Sequence, residues 1–263
     1  MDWEDWFQIC HPAFEGPGAL DRFPERLGLA TARALDFCAD LGATGTWFCL
    51  GDQARRHPGL VKSLSGAGHR VALHGPTHAR AFTLGRAAWR EGLRQAKAFL
   101  EDLTGLPVVG YRAPEWSLRG PAADWLQDLA GLGFHYDSSR APLALLGDPA
   151  WPRRPHRLAD GLWELPPPVL GRPPFRVPLW GWGLRVLPGA WTRRALLELA
   201  EADAGTPLVL HPWELDEGQP PLAGAPLGHR FAHGAGLRGF GARLRDLLAG
   251  LELRPIETWL EAR

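Results

Sequence analysis

The stretch Val71-Ala72-Leu73-His74-Gly75-Pro76-Thr77-His78 runs from a short apolar segment straight into two histidines four residues apart. Gly75 and Pro76 between them disfavour a regular helix, so the stretch reads as a strand end leading into a tight turn. Such a turn lets two imidazoles converge on one metal ion. By itself the pair carries little weight. The chain holds 10 histidines, and His229/His233 repeats the spacing in a Gly- and Pro-rich stretch that reads as an ordinary loop. The first pair gains its meaning from the residues at the ends of the other apolar segments.

On the N-terminal side, Asp2 to Ile9 reads as a strand end entering a loop. Helices are predicted over Phe23 to Leu41, Asp52 to Ala67, Thr83 to Leu103, Ala122 to Leu132, Arg193 to Ala204 and Leu237 to Leu248. Strands are predicted over Thr44 to Leu50, Arg70 to Leu73, Leu106 to Tyr111, Phe134 to Ser138, Pro207 to Leu210 and Leu251 to Arg254. Thr83 is a candidate N-cap and Gly105 a helix stop. Residues 140 to 190 break the rhythm with an irregular Pro- and Trp-rich insertion, holding one strand at Leu162 to Leu165. The alternation of strand and helix, with no internal repeat and no linker, predicts one α/β domain over residues 1–263 with a parallel sheet. Whether such a sheet opens or closes as a barrel, functional groups belong at the carboxyl ends of its strands.

Composition narrows the function classes. The 263 residues are 45% hydrophobic and 22% charged, with 29 Lys+Arg against 29 Asp+Glu. A net charge of zero gives no electrostatic case for nucleic acid or an anionic membrane. No run reaches the ~18 apolar residues of a membrane span. Cys10, Cys38 and Cys49 are odd in number and match no zinc module, so they read as reduced and mostly buried, which favours the cytoplasm. The acidic start, Met1-Asp2-Trp3-Glu4-Asp5, shows no signal peptide. The 13 Trp suit either a core or a ring-binding cleft.

Ionisable residues gather at the ends of the predicted strands. The first strand gives Asp2, Glu4 and Asp5, the third His74 and His78, the fourth Arg112-Ala113-Pro114-Glu115-Trp116. The fifth gives Asp137-Ser138-Ser139, which reads as a capped turn. The late strand gives His211-Pro212-Trp213-Glu214. Two neutral imidazoles and one carboxylate make a three-ligand site with an open position, the pattern of a catalytic zinc. A second carboxylate can take a proton from water, Arg112 can hold that carboxylate ionised, and His211 can protonate a leaving group. The reaction class is metal-assisted hydrolysis of an amide or ester.

These residues resemble the NodB-type polysaccharide deacetylases, carbohydrate esterase family 4, and more narrowly the branch found with bacterial exopolysaccharide and exosortase loci. The resemblance covers about residues 2 to 260. It rests on Asp2-Trp-Glu-Asp-Trp-Phe, His74-Gly-Pro-Thr-His78, Gly110-Tyr-Arg-Ala-Pro-Glu-Trp-Ser117, Tyr136-Asp-Ser-Ser139 and Leu210-His-Pro-Trp-Glu214. It implies a distorted (β/α) barrel of about seven parallel strands, a divalent metal (usually zinc), and removal of an N-acetyl group from an amino sugar in a glycan. Carried over by motif, His74 and His78 are metal ligands, Asp2 the base, Arg112 its orienting partner and His211 the acid. Side chains two apart on a strand share a face, which favours Glu4 as third ligand beside Asp2. Asp5 is the alternative, reached if the chain turns there. Tyr111, Pro114, Trp116, Trp182 and Trp213 are the candidate substrate contacts.

Three departures accompany the resemblance. Met1 directly precedes Asp2, so the apolar half of the first strand is missing: the start is truncated or the barrel is open there. The family's acidic motif is absent from residues 140 to 190. Pro178 to Leu184 replaces an expected glycine-rich stretch. Two other functions fit the same residues: an allantoinase-like amidase that opens small cyclic amides, and a carbohydrate-binding homologue without activity. The oligomeric state is open.

Overall fold

The computed structural model describes residues 1–11, 14, 21–172, 175–202 and 205–263. In chain order it runs β1 (Asp2–Trp3), α1 (Leu27–Asp40), β2 (Thr46–Cys49), α2 (Gly51–Arg56), α3 (Pro58–Gly66), β3 (Arg70–Leu73), α4 (Ala81–Leu84) and α5 (Arg86–Thr104). Next come β4 (Gly110–Tyr111), α6 (Gln127–Gly131), β5 (Tyr136–Asp137), β6 (His156–Arg157), β7 (Trp163–Glu164), β8 (Val169–Arg172) and β9 (Phe175–Pro178). The helices α7 (Trp182–Val186), α8 (Gly189–Glu201), α9 (Leu227–Gly234), α10 (Phe240–Leu248) and α11 (Ile256–Glu261) complete it.

Among the described residues, seven strands form one sheet in the order β1-β2-β3-β4-β5-β7-β6, parallel except for the antiparallel β6–β7 pair. β2 is buried at every position, as a parallel strand covered on both faces must be. The sheet rolls up. On a flat sheet β1 and β4 would lie about 14 Å apart, three strand spacings, yet Asp2 and Arg112 meet in an ion pair across that gap. At the other end of the roll, Glu257 of α11 accepts hydrogen bonds from Thr46 Oγ1 beside β1 and from Tyr136 Oη on β5 (2.6 and 2.7 Å). Leu210 extends the ring past β1, where Asp2 N–H donates to its carbonyl at 2.8 Å. Among the described residues no ladder joins Leu210 to β7. An apolar cavity of about 360 Å³ lies in that opening, bordered by Met1, Phe48, Pro168, Leu210 and Ile256. The fold is a distorted, open α/β barrel.

The expected elements hold their order, with instructive breaks. The helix predicted over Asp52 to Ala67 divides at His57, because Pro58 lacks an N–H and starts a new helix. That over Thr83 to Leu103 divides at Gly85, whose φ of 76° no helix accommodates; Thr83 is inside α4 and not a cap. α5 then buries Trp89, Leu93, Ala96 and Leu100 on one stripe and stops at Gly105 in the left-handed conformation. Pro207 to Leu210 and Leu251 to Arg254 carry no regular strand. The end of the helix predicted to Ala204 lies outside the described residues. The insertion is more ordered than expected, holding β6, the β8–β9 hairpin and α7.

Candidate metal centre and active site

Strand alternation decides which side chains enter the roll. On β1, Asp2 points inward while Trp3 points out to donate its indole N–H to Thr31 of α1 at 2.8 Å. Glu4 repeats the inward direction. Its Oε2 stands 2.8 Å from His78 Nε2 and 3.6 Å from His74 Nε2. The donor atoms of Glu4, His74 and His78 all lie within 4.8 Å of one another. Ligands tetrahedral about zinc at 2.0–2.2 Å stand roughly 3.3–3.6 Å apart; the His74 separation matches that, and the His78 separation is a hydrogen bond that would have to lengthen to admit an ion.

Both imidazoles turn Nε2 toward Glu4. His74 Nδ1 lies 2.8 Å from the Arg112 carbonyl, which only accepts, so Nδ1 carries a hydrogen and Nε2 is the nitrogen turned to Glu4. Cys10 Sγ donates to the His78 carbonyl at 3.0 Å and stands 3.5 Å from His78 Nδ1, leaving the sulfur to accept from that nitrogen. Gly75 makes the turn between the histidines possible. Its φ is 106°, and a Cβ there would stand 3.1 Å from Thr77 O and 3.4 Å from Pro114 Cδ. Burial raises the Glu4 carboxyl, but His78 and His74 outweigh it and hold the group well below the usual carboxylate range.

Beside this cluster, Arg112 Nη1 donates to Asp2 Oδ1 while its Nη2 donates to Ser138 Oγ at 3.0 Å. Burial alone would push the Asp2 carboxyl up; Arg112, His74 and His211 together bring it below 3.8. His211 completes the cleft, with Nε2 at 3.7 Å from Glu4 Oε1 and Nδ1 at 3.0 Å from Glu214 Oε2. Burial lowers the His211 imidazole, and the carboxylates of Glu214, Glu4 and Asp2 reverse that and raise it. Asp2, Glu4, His74, His78 and His211 thus border one cleft of about 170 Å³ with Gln8, Ile9, Ala113, Glu115, Trp116 and Trp213.

The remaining candidates divide. Trp116 lines the cleft with its ring 4.9 Å from that of Trp180. Trp213 also lines it, but its indole N–H is directed at Glu4 Oε1, 3.4 Å away, and its face stacks on His233. Asp5, the alternative ligand, turns away: its Oδ2 accepts from the N–H groups of Arg26 and Leu27 at the start of α1. As the neighbour of inward-pointing Arg112, Tyr111 must point outward, and its hydroxyl accepts from Trp89 in the core. Pro114 lies against Gly75, and half-buried Trp182 opens α7. These four do not border it among the described residues. Asp137 caps its own turn, accepting from Ser139 N and Oγ. His229 and His233 sit on α9 and not in a loop; His233 Nε2 bonds the Trp6 carbonyl at 2.7 Å.

Sequence reasoning gave no role to Glu214, Arg185 or Cys10. Glu214 had a signal: three residues after His211, it bonds back to the His211 N–H as a capping box does.

Residues 21–136 match the polysaccharide deacetylase family, and residues 138–261 match a domain of unknown function (DUF3473). Asp2 and Glu4 precede both matches; His211 and Glu214 lie in the second. Over 94 residues, 36% of the chain, the sequence is 30% identical to a peptidoglycan deacetylase of Helicobacter pylori. That stretch spans 31% of the relative's length. A proposed polysaccharide deacetylase from Mycobacterium smegmatis shares the fold at a TM-score of 0.58 and 23% identity, over 89% of this chain and 76% of that one. Puue allantoinase does so at 0.55 and 18%, over 92% and 73%. At these identities the likeness is one of fold.

Proposed function

We propose, from the match of residues 21–136 to the polysaccharide deacetylase family, that the chain hydrolyses the N-acetyl amide of an amino sugar in a glycan with the help of a divalent cation. One observation carries the proposal: Glu4 Oε2 converges on both Nε2 atoms of His74 and His78 in a cleft that also holds Asp2 and His211. Two imidazoles and a carboxylate suit zinc. Held there, the cation would polarise the amide carbonyl and acidify the attacking water.

The chain's own residues perform the proton transfers. Asp2, ionised and pinned by Arg112, accepts a proton from water as its oxygen bonds to the carbonyl carbon. His211, held through Nδ1, gives a proton from Nε2 to the nitrogen as the carbon–nitrogen bond breaks. Acetate and a free amine leave. Trp116 offers an aromatic wall for a sugar ring. We take residues 1–263 as one domain, since a single sheet runs from β1 to β7 across both matched regions.

The test is acetate release from N-acetylglucosamine oligomers by zinc-loaded protein. Release that stops on chelation and in His74→Ala supports the proposal; no release from any amide substrate with metal bound would overturn it. A second reading draws on the cleft volume of about 170 Å³, which is small for a ligand site and suits one ring. Turnover of small cyclic amides in place of glycan amides would favour it.

A further inference from the structure

Glu214 and Arg185 touch neither the water nor the amide in that hydrolysis, yet both are buried, and Arg185 meets the carboxylate of Glu214 that meets His211. Glu214 Oε2 accepts from the His211 backbone N–H and faces its Nδ1, each at 3.0 Å. The other oxygen, Oε1, lies 3.0 Å from Arg185 Nε as an ion pair whose angle is poor for a hydrogen bond. The two side chains are 1% and 0% exposed. The rest of the guanidinium is fixed too. Arg185 Nη1 donates to the carbonyls of His233 and Ala235, and Nη2 to that of Ala232, at 2.6, 3.0 and 2.7 Å. These carbonyls lie at the end of α9, where a helix leaves its acceptors unpaired.

A buried ion pair is a poor device for stability, because desolvation consumes most of its attraction. It does fix geometry. A carboxylate against one ring nitrogen sets the tautomer and the orientation of an imidazole. Without Glu214 the ring is free to present either nitrogen to the cleft, and without Arg185 the carboxylate is free to leave the ring. We propose that Glu214 and Arg185 are positioning residues for His211, so that residues 138–261, the region matching a domain of unknown function, supply the proton-donating half of the site. The proposal rests on the reading of His211 as proton donor.

The test uses zinc-loaded wild type, Glu214→Gln, Arg185→Met, Arg185→Lys and the Glu214→Gln/Arg185→Met pair. Three readouts are taken: the ¹⁵N imidazole spectrum of His211, kcat and KM for acetate release from N-acetylglucosamine oligomers, and zinc content. In wild type the His211 Nδ1 is protonated; in Glu214→Gln that state gives way to a tautomer mixture. Glu214→Gln and Arg185→Met lower kcat roughly 10- to 100-fold, with KM and zinc content unchanged. Arg185→Lys restores part of the loss, and the pair is no worse than Glu214→Gln alone. Unaltered kcat and tautomer in Glu214→Gln would overturn the proposal. So would losses matched by loss of zinc, which mark a structural role. If wild type with zinc releases no acetate from any N-acetylated glycan, the deacetylase reading falls, and the His211 spectrum alone decides the positioning role.

Discussion

Asp2 and His211 border the same cleft but are held by unlike means. Asp2 sits on a strand, and its partner Arg112 comes directly after another strand of the same sheet. His211 ends an irregular segment and owes its orientation to Glu214 one turn on and to Arg185 in an insertion. The first half of the site is built by register, the second by tertiary packing. A strand end aims a side chain by alternation alone, whereas an irregular segment needs buried side chains to do so.

The strongest loss should come from the half built by register. His74→Ala removes one of the converging donors, and acetate release should fall by more than about 1000-fold with loss of bound zinc. Metal analysis beside the acetate assay checks this. Activity without bound zinc would dissolve the distinction between the halves.

Arg112→Met comes next. It leaves the Asp2 carboxylate buried and unpaired, which costs about 3–5 kcal/mol and is measurable by urea unfolding at pH 7. The acid dependence has a definite sign. Arg112 is the chief attraction that holds the folded Asp2 carboxyl below its usual 3.8, although burial opposes it. The stability this contributes is therefore fully present above about pH 4 and is lost as pH falls through the depressed value. In Arg112→Met that loss should vanish from the difference between pH 7 and pH 3. An unchanged acid profile would detach Arg112 from Asp2.

The same contrast explains what the sequence made legible. The order of strands and helices came from periodicity, and the strand-end residues from position, since both are local. The inward set of Asp2, Glu4 and Arg112 comes from period-two alternation, and the same rule should have turned Tyr111 outward. Asp5 looked like a ligand because nothing local reveals that the first turn of α1 lies within reach of its carboxylate. Trp213 read as a substrate contact, and only the packing directs its N–H at Glu4. Arg185 stands 29 positions before Glu214 in numbering (214 minus 185), in a stretch without periodicity, and no local pattern links them.

Weaker effects probe the residues behind the proposed metal ligands. Trp213→Phe keeps the stack on His233 but loses the N–H directed at Glu4, so zinc affinity should weaken about 10-fold in a chelator competition. A shift in KM alone would return Trp213 to the role of substrate contact. Cys10→Ala removes a weak acceptor behind His78, and its effect on zinc affinity should be smaller than that of Trp213→Phe. A larger one would make the thiol an essential part of the centre.

On the proposed reading Glu4, and not Asp5, completes the centre formed by His74 and His78, and every role assigned in the cleft depends on that choice. Zinc affinity of Glu4→Gln and Asp5→Asn, measured side by side by chelator competition, decides it. Glu4→Gln should bind zinc more than about 100-fold more weakly than wild type, while Asp5→Asn should bind as wild type does and lose only stability at the start of α1. Wild-type affinity in Glu4→Gln, with zinc binding lost in Asp5→Asn, would overturn the assignment.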